Sequence, residues 1–596
     1  MKKSEGVVMR GKNTKLSLSC AAFLFLCMLA CVVCVASAKT IYVPDDYEKI
    51  QWAVDNATAG DTIIVRNGVY VENIDINKPH LTIKSESGSA NCVVQAANSN
   101  DHVFNVTADN VIISGFTVTG ATGAGKAGIY LYNSNNCRIE NVIASNNYNG
   151  IHLWDSSNNI IAINTASNND DGIHLYSSSN NIIANNTVSN NRCGIYLWDS
   201  SNNTIANNNV SNNRYGGIYL YYSSNNNTIA NNNVSNNDDG IHLWDSSNNI
   251  IANNNVSSND DDGIVLGHSS NNTIANNTVS NNDDGIALDS SSNNTIANNN
   301  VSSNNGLGIC LEDSSNNTIA NNNGSSNNWY GIFLGYSSNN TIANNNVSNN
   351  DDGIFLYYSS NNTIANNTVS NNDDGIHLGH SNSNTIYLNN FIGNVDQVES
   401  YFSTNIWNST IPITYTYNGK HFTNYLGNYW SDYAGNDENG DGIGDTPYSI
   451  DGDKDNYPLM ERFENYIVTP APNQPPIANF TYSPEKPVVN QPVTFDASSS
   501  YDPDGKITAY EWDFGDGNVT NTTEEKIKHS YSEAGSYDVT LTVKDDKGAK
   551  NSTTKIITIY SGAIFDCGEP KNPYPSIMGT HKGTIKPNKT IIATKL

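Results

Sequence analysis

From Gly128 onward, apolar and polar positions recur in a fixed order. The dipeptide Gly-Ile returns at Gly128, Gly150, Gly172, Gly194, Gly217, Gly240, Gly263, Gly285, Gly308, Gly331, Gly353 and Gly375, at intervals of 22 or 23 residues. Twelve units at this period indicate a solenoid, each unit being one turn of the same path. The unit that starts at Gly240 carries three short apolar runs. Ile241-His242-Leu243-Trp244 alternates apolar and exposed positions with the period of two of a half-buried strand. Ile250-Ile251-Ala252 and Val256-Ser257 centre two more. Asn and Gly punctuate every few positions, and no stretch of the repeat reaches the ten or so residues a helix needs. A leucine-rich repeat of similar length would show a different Leu spacing and a helical half. The pattern predicts an all-β coil of three strands, stacked into a right-handed parallel β-helix.

Each coil offers about four inward aliphatics, Ile241, Leu243, Ile251 and Val256 in this unit, worth roughly 1.5–3 kcal/mol apiece on burial. Ordering its residues costs on the order of 1–2 kcal/mol each for the backbone alone. A lone coil therefore does not fold. Stacking coils about 4.8 Å apart closes the backbone hydrogen bonds and joins the aliphatic sets into one core. The asparagines fit the same scheme. Asn tolerates the left-handed backbone of tight turns, and an inward amide donates to one neighbouring coil while accepting from the other. Such a ladder is expected at Ala252-Asn253-Asn254.

The flanks carry resemblances. In residues 39–127, Ile41-Tyr42-Val43-Pro44-Asp45-Asp46-Tyr47, Ile50-Gln51-Trp52-Ala53-Val54 and Gly60-Asp61-Thr62-Ile63-Ile64-Val65 resemble the amino-terminal cap of pectin-lyase-like β-helix proteins. With the repeats of 128–394 they resemble the NosD-type β-helix family, also grouped with carbohydrate-binding proteins and sugar hydrolases. The resemblance implies a fold rather than an activity, because that fold hosts lyases, hydrolases, epimerases and plain binders. After Asn394 the repeat decays. Asn428-Tyr429-Trp430-Ser431-Asp432-Tyr433 and Asp455-Asn456-Tyr457-Pro458-Leu459 resemble the family's closing segment, so residues 395–465 read as a carboxy-terminal cap.

A linker, residues 466–474, leads into 475–560. There Trp512-Asp513-Phe514-Gly515-Asp516-Gly517, His529-Ser530-Tyr531 and Tyr537-Asp538-Val539-Thr540-Leu541-Thr542-Val543 resemble a PKD domain, an immunoglobulin-like β-sandwich found on cell-surface proteins, archaeal ones prominently. The alternation of Val539, Leu541 and Val543 independently reads as a half-buried strand. Residues 561–596 resemble the start of a further extracytoplasmic module. At the other end, five bases precede an apolar run from Leu16 to Val35 that closes on Ala36-Ser37-Ala38. Residues 1–38 thus read as a signal peptide or, at about 20 apolar residues, as an uncleaved anchor. Either reading places the remainder extracellularly or at the cell surface.

Composition narrows the partners. The 596 residues carry a formal charge of −28 with only 15% charged residues. No basic stripe is present to neutralise phosphates, which argues against nucleic acid, and the sign opposes a grip on anionic lipid. Asparagine fills roughly one position in six, far above ordinary usage. From composition alone that excess would suggest disorder; the periodicity overrides it. Beyond the leader, Cys92, Cys137, Cys193, Cys310 and Cys567 are too scattered for a disulfide framework or a zinc spacing, and core thiols are expected for most. Asn56, Asn105, Asn202 and Asn209 head Asn-x-Ser/Thr triplets, formal glycosylation acceptors. Asn56 and Asn105, outside the repeat, are the better candidates.

Candidate chemistry lies on the first strand of each coil. Tyr130, His152, His174, Tyr196, Tyr219 and His242 form one column, and Tyr132, Trp154, Tyr176, Trp198, Tyr221 and Trp244 a second, two residues further on. Six consecutive coils are expected to present a ring pair to solvent. His152, Trp154, His174, Tyr176, Tyr196, Trp198, Tyr219, Tyr221, His242 and Trp244 are the candidate carbohydrate-binding residues, since exposed apolar surface of this extent marks a binding site. Asp155, Asp199 and Asp245 stand beside them to accept hydroxyl groups. The structural alternative is that the rings only stabilise the sheet through inter-strand pairs. The expected partner is a cell-surface glycan or polysaccharide, with other surface proteins as partners of the PKD domain. The NosD resemblance also implies copper. His152 and His174 lie one coil apart, but the chain is Met-poor and lacks a Cys/His cluster of copper type, so copper is not expected.

Carboxylate pairs recur before Gly-Ile at Asp170-Asp171, Asp238-Asp239, Asp283-Asp284, Asp351-Asp352 and Asp373-Asp374, with Asp260-Asp261-Asp262 as a variant. Polygalacturonases use an Asp pair for acid/base work. Their Gly-His-Gly and Arg-x-Lys motifs are missing, and a pectate-lyase base has few candidates, so no residue is assigned a catalytic role. The repeated pairs read as solvated turns, with weak Ca²⁺ bridging between coils as an alternative. Asp437, Asn439, Asp441, Ile443 and Asp445 occupy positions 1, 3, 5, 7 and 9 of an EF-hand-like loop with Gly442 at position 6, and are the candidate ligands of a structural Ca²⁺. Position 12 is Tyr448, leaving Asp451 or Asp453 to supply the missing carboxylate. The function expected is glycan binding or adhesion. A polysaccharide lyase, hydrolase or epimerase is the alternative, and a structural envelope spacer the third reading.

Overall fold

The computed structural model describes residues 38–468 and 473–562; the leader before Ala38 and the expected carboxy-terminal module lie outside the described residues. The first compact unit ends at Val468. In it the repeat winds as predicted, each coil giving one short strand to each of three parallel sheets. Sheet one has 16 strands, from Thr40–Val43 to Thr385–Tyr387; sheet two has 15, from Ile74–Ile76 to Asp396–Tyr401; sheet three has 16, from Gly68–Val71 to Tyr429–Trp430. In the coil that starts at Gly240 the strands are Ile241–Trp244, Ile250–Ala252 and Asn255–Ser257. Equivalent residues stand in register, Ile241 between Ile218 and Ile264. Ile241, Leu243, Ile251 and Val256 are fully buried and belong to one core that runs from Ile41 to Ile450.

The Asn-Asn pairs divide two tasks. Asn253 takes the left-handed conformation, φ +57°, and turns the chain. Asn254 points inward; its amide donates to Ile229 O at 2.9 Å and to Asn277 Oδ1 of the next coil at 3.0 Å. The ladder expected at this turn is therefore present. The other two turns carry ladders of the same kind, exemplified by Asn159 to Asn181 and by Asn169 to Asn191, and a serine ladder runs through Ser156, Ser178 and Ser200. The Gly-Ile glycine has a steric reason. A Cβ at Gly240 would collide with Gly263 O and with Val256 Cγ1, so the corner admits no side chain.

Both ends depart from the coil. A seven-residue helix, Ile50–Asn56, buries Ile50, Ala53 and Val54 over the first coil. Glu72 accepts from Ile50 N at 3.0 Å and Gln51 N at 3.1 Å, satisfying donors a helix leaves open at its start. At the other end Asp396–Tyr401 still extends sheet two. Trp430, stacked between Phe391 at 4.6 Å and Tyr448 at 4.4 Å, closes the core. Ile467–Val468 pairs with Tyr415 and Thr416, carrying the cap to Val468.

The second unit is an antiparallel sandwich. A three-stranded sheet (Thr481–Ser483, Val493–Asp496, Lys526–His529) and a four-stranded one (Ile507–Asp513, Val519–Thr522, Gly535–Asp545, Lys550–Ile559) enclose Phe480, Phe495, Trp512, Phe514 and Tyr531. Val539, Leu541 and Val543 all face that core. Cys92, Cys137, Cys193 and Cys310 are buried free thiols. No helix among the described residues is long and apolar enough to cross a membrane.

Candidate functional site

Sheet two carries the candidate residues on its outward face. Tyr130, His152, His174, Tyr196, Tyr219 and His242 are register partners on successive strands, as are Tyr132, Trp154, Tyr176, Trp198, Tyr221 and Trp244. Neighbouring rings touch: His152 and His174 at 4.6 Å, Trp154 and Tyr176 at 4.7 Å, Tyr219 and His242 at 4.5 Å. The inner column is thus continuous from Tyr130 to His242, and ring contacts in the outer one run from Trp154 to Tyr221. Their exposure differs from the expectation. His152 is only 5% exposed, whereas Tyr132 and Trp154 of the outer column are 46% and 39% exposed. The cause is local. In these coils the strand begins before the glycine, as Asn149–Trp154 and Asp171–Tyr176, and lays the preceding residue against the inner ring. Asn149 Nδ2 stands 3.2 Å from His152 Nδ1. Burial pushes the His152 pKa well down and keeps its ring neutral.

The Asp pairs also require a correction, because they are not simply solvated turns. Their first members, such as Asp238 and Asp351, are exposed, but the second lies on the sheet-two face, with Asp171 and Asp352 buried. These carboxylates form a third column and meet imidazoles. Asp239 Oδ2 is 2.7 Å from His242 Nδ1, and Asp352 Oδ2 is 2.9 Å from His377 Nδ1. Asp171 Oδ2 comes within 3.1 Å of His174 Nδ1 but out of line for a hydrogen bond. The sequence shows the pair as Asp-Gly-Ile-His, but strict strand alternation puts its ends on opposite faces, and only the structure, with Asp239 hydrogen-bonded to His242, shows that they meet. Arg192 bridges Asp170 and Asp171 at 3.0 Å each.

A cleft of about 350 Å³ opens on this face, floored by Tyr196, Tyr219 and His242 and walled by Arg192, Tyr215 and Asp239. Tyr215 belongs to a 23-residue coil. Further along, acids crowd: burial and the nearby Asp284 and Asp261 push Asp262 up to about 8. Cys310 beside them is held as a thiol, since burial raises its pKa.

A second set of rings was not foreseen. Tyr336, Tyr358, His380 and Phe402 occupy the left-handed turn after the first strand, with φ near +50°. They stack almost parallel at 5.3, 4.6 and 4.9 Å, and Phe402 is 79% exposed. Earlier coils place Asp155, Asp199 and Asp245 at this turn. Following only the alternating strand positions misses the column.

In the cap, Asp437 accepts from Gly440 N at 2.7 Å and Gly442 N at 2.8 Å, Asn439 from Asp441 N, Asp441 from Ile443 N and Asp445 from Glu438 N. The loop therefore closes on its own carboxylates. Asp453 does not join it; it accepts from Asn405 N at 2.8 Å and faces Trp407 Nε1 at 3.4 Å. Asp451 lies against Ser400 N at 3.4 Å. In the sandwich, Asn473 Oδ1 and Asp502 Oδ2 are buried without a hydrogen-bond partner, beside the buried Asp545. A Cβ at Gly505 would lie 2.5 Å from both Asp502 Oδ2 and Asp546 Oδ1. Burial, with Asp504, Asp545 and Asp546 nearby, raises the Asp502 pKa. Such an all-oxygen set suits a hard cation.

Comparison with known proteins agrees with this architecture. Residues 91–256 match the family profile described as right handed beta helix region, residues 238–435 that of the periplasmic copper-binding protein (NosD), and residues 473–560 that of the PKD domain. The chain is a right-handed parallel β-helix repeat protein, NosD-like over residues 238–435, with a PKD domain. A stretch of 108 residues, 18% of this chain, is 41% identical to the cell surface glycoprotein of Methanothermus fervidus and covers 17% of it. Among solved structures, the PKD1 domain of Vibrio anguillarum Epp is 39% identical over 15% of this chain and 99% of its own, with a TM-score of 0.14. The periplasmic alginate epimerase AlgG is 17% identical over 62% and 84%, with a TM-score of 0.30. The chain spans less than a fifth of the length of the curated relatives it matches.

Proposed function

We propose that this is an exported, modular envelope protein that binds a polysaccharide along sheet two, with its PKD domain as a further interaction module. The observation that carries the reading is the pair of ring columns on sheet two, the outer one in register from Tyr132 to Trp244 and lying beside the inner rings Tyr196, Tyr219 and His242 that floor the cleft. Sugar rings present apolar faces to aromatic rings and hydroxyls to carboxylates, and both kinds of group line this cleft. The likeness to a cell surface glycoprotein supports the location. Copper is not carried over from the family's description, because the matched residues 238–435 hold Cys310 as their one thiol and no methionine. On a glycan array, the triple substitution Trp154→Ala, Trp198→Ala, Trp244→Ala is expected to weaken binding at least about 30-fold, the effect of losing one interface hot spot of about 2 kcal/mol. Binding that survives the triple change would sink the proposal. An enzymatic reading rests on Asp239 and His242, a hydrogen-bonded acid/base pair inside the cleft. It predicts product release from uronate polymers that His242→Gln abolishes.

Calcium is proposed at two places, the cap loop from Asp437 to Asp445 and the sandwich cluster of Asn473, Asp502 and Asp545. An ion present at about 100 times its dissociation constant stabilises its unit by about 2.7 kcal/mol. Chelator is therefore expected to lower both unfolding midpoints, Asp441→Ala mimicking the effect in the first unit and Asp502→Ala in the second. Midpoints indifferent to chelator would remove calcium from both.

A further inference from the structure

We infer that Asp352, Asp374 and His377, joined by Glu399, form a site for a divalent transition cation of the zinc class, held between neighbouring coils of sheet two. Asp352 and Asp374 are register partners on adjacent strands, and so are His377 and Glu399 on the next pair. One ligand atom from each of Asp352, Asp374 and His377 lies within 4.8 Å of the others, and among the described residues no other group of His, Cys, Asp and Glu does this. Glu399 Oε2 is 3.8 Å from His377 Nε2.

Two further observations point to a missing positive partner. Asp171, at the equivalent place in an earlier coil, is paired with Arg192, whereas among the described residues no Lys or Arg pairs with Asp352 or Asp374. Like charges on directly opposed strand positions destabilise a sheet unless something neutralises them. His377 Nε2 is also buried with no hydrogen-bond partner, although Nδ1 is engaged by Asp352. Nε2 faces Glu399 at 3.8 Å, beyond hydrogen-bond reach, so an imidazole nitrogen and a carboxylate oxygen stand opposite each other without a shared partner.

The donors select the ion. One imidazole nitrogen with carboxylate oxygens suits Zn²⁺ or Mn²⁺; Ca²⁺ takes oxygen donors, and copper(I) asks for sulfur. The site tethers successive coils just before the carboxy-terminal cap and is independent of the polysaccharide proposal. The Asp239–His242 pair, outside any such three-ligand group, is a control built into the same sheet.

The test uses the full chain stripped of metal, titrated calorimetrically with Zn²⁺ and, separately, with Co²⁺ followed by its visible absorption. The wild type is expected to take up a Zn²⁺ equivalent that excess Ca²⁺ does not displace. Asp374→Asn and His377→Ala are expected to weaken it at least about 100-fold, and the half-exposed Glu399→Gln about tenfold. Asp239→Asn should leave it intact. Circular dichroism without metal checks that each variant keeps its β-structure, and Glu399→Gln decides the matter should the buried variants fail to fold. A wild type that binds no Zn²⁺, or Asp374→Asn and Glu399→Gln variants that bind it as the wild type does, overturns the inference.

Discussion

Asn254→Ala is expected to destabilise the middle of the β-helix by about 3–5 kcal/mol, from two or three buried groups each losing a partner at roughly 1–3 kcal/mol. Asn254 Oδ1 accepts from Asn232 N at 2.9 Å and from Asn232 Nδ2 at 3.0 Å, while its own amide serves Ile229 O and Asn277 Oδ1. Truncation strands the Asn232 N–H and the Ile229 carbonyl at a place with no water. Asn253→Ala next to it loses only the left-handed preference, at about 1–2 kcal/mol. Coils interact chiefly with their neighbours, so global melting dilutes such local damage. Hydrogen exchange at the Asn232 amide reads it directly. Protection there that is no lower in Asn254→Ala than in Asn253→Ala would show that the ladder does not carry this energy.

Asp455→Ala is expected to detach the carboxy-terminal cap, at a comparable cost. Asp455 is fully buried and receives Asn428 N at 2.7 Å, Trp430 Nε1 at 3.1 Å and Tyr457 N at 2.9 Å. Removing it leaves three buried donors and opens the contact around Trp430 that seals the core. The same residue sets a pH dependence. Burial raises its pKa from 3.8 to about 6, against the lowering effect of its hydrogen bonds. A carboxyl group with a raised folded pKa binds more protons in the folded state, so its contribution favours folding most at low pH and is lost as pH rises from about 4 through about 6. Cap stability should therefore decline across that window and level off above it. Asp455→Asn, which cannot ionise, should flatten the decline. An unchanged slope in that variant would assign the titration elsewhere.

The coil was legible because its chemistry is repeated. Ile241, Leu243, Ile251 and Val256 announced the inward positions, and one Asn-Asn pair announced a ladder. The other two Asn ladders follow the same rule at Ser-Asn-Asn steps, such as Ser157-Asn158-Asn159 and Ser167-Asn168-Asn169, which an expectation tied to Ala-Asn-Asn does not cover. The ring columns were readable by counting from Gly-Ile. Their exposure was not, since it depends on which neighbour packs beside each ring, as Asn149 does beside His152. The carboxylate column was misread for the same reason. The group of Asp352, Asp374 and His377 is assembled across coils, by register, and only Asp-Gly-Ile-His hinted at it. Outside the repeat, Glu72 capping the helix and Asp455 receiving the last rung involve partners more than 20 residues away, and no local pattern marks them.

The column of inward amides from Asn164 to Asn428 has a direction. Each rung accepts from the preceding coil at Oδ1 and donates to the following one from its backbone N–H and one amide proton, the other amide proton returning to a carbonyl of the preceding coil, so the amide carbonyls line up head to tail with their positive end at the last rung. Asp455, an anion that accepts and has no proton to pass on when ionised, stands at that end. The column of amides therefore ends on a carboxylate acceptor instead of on open donors.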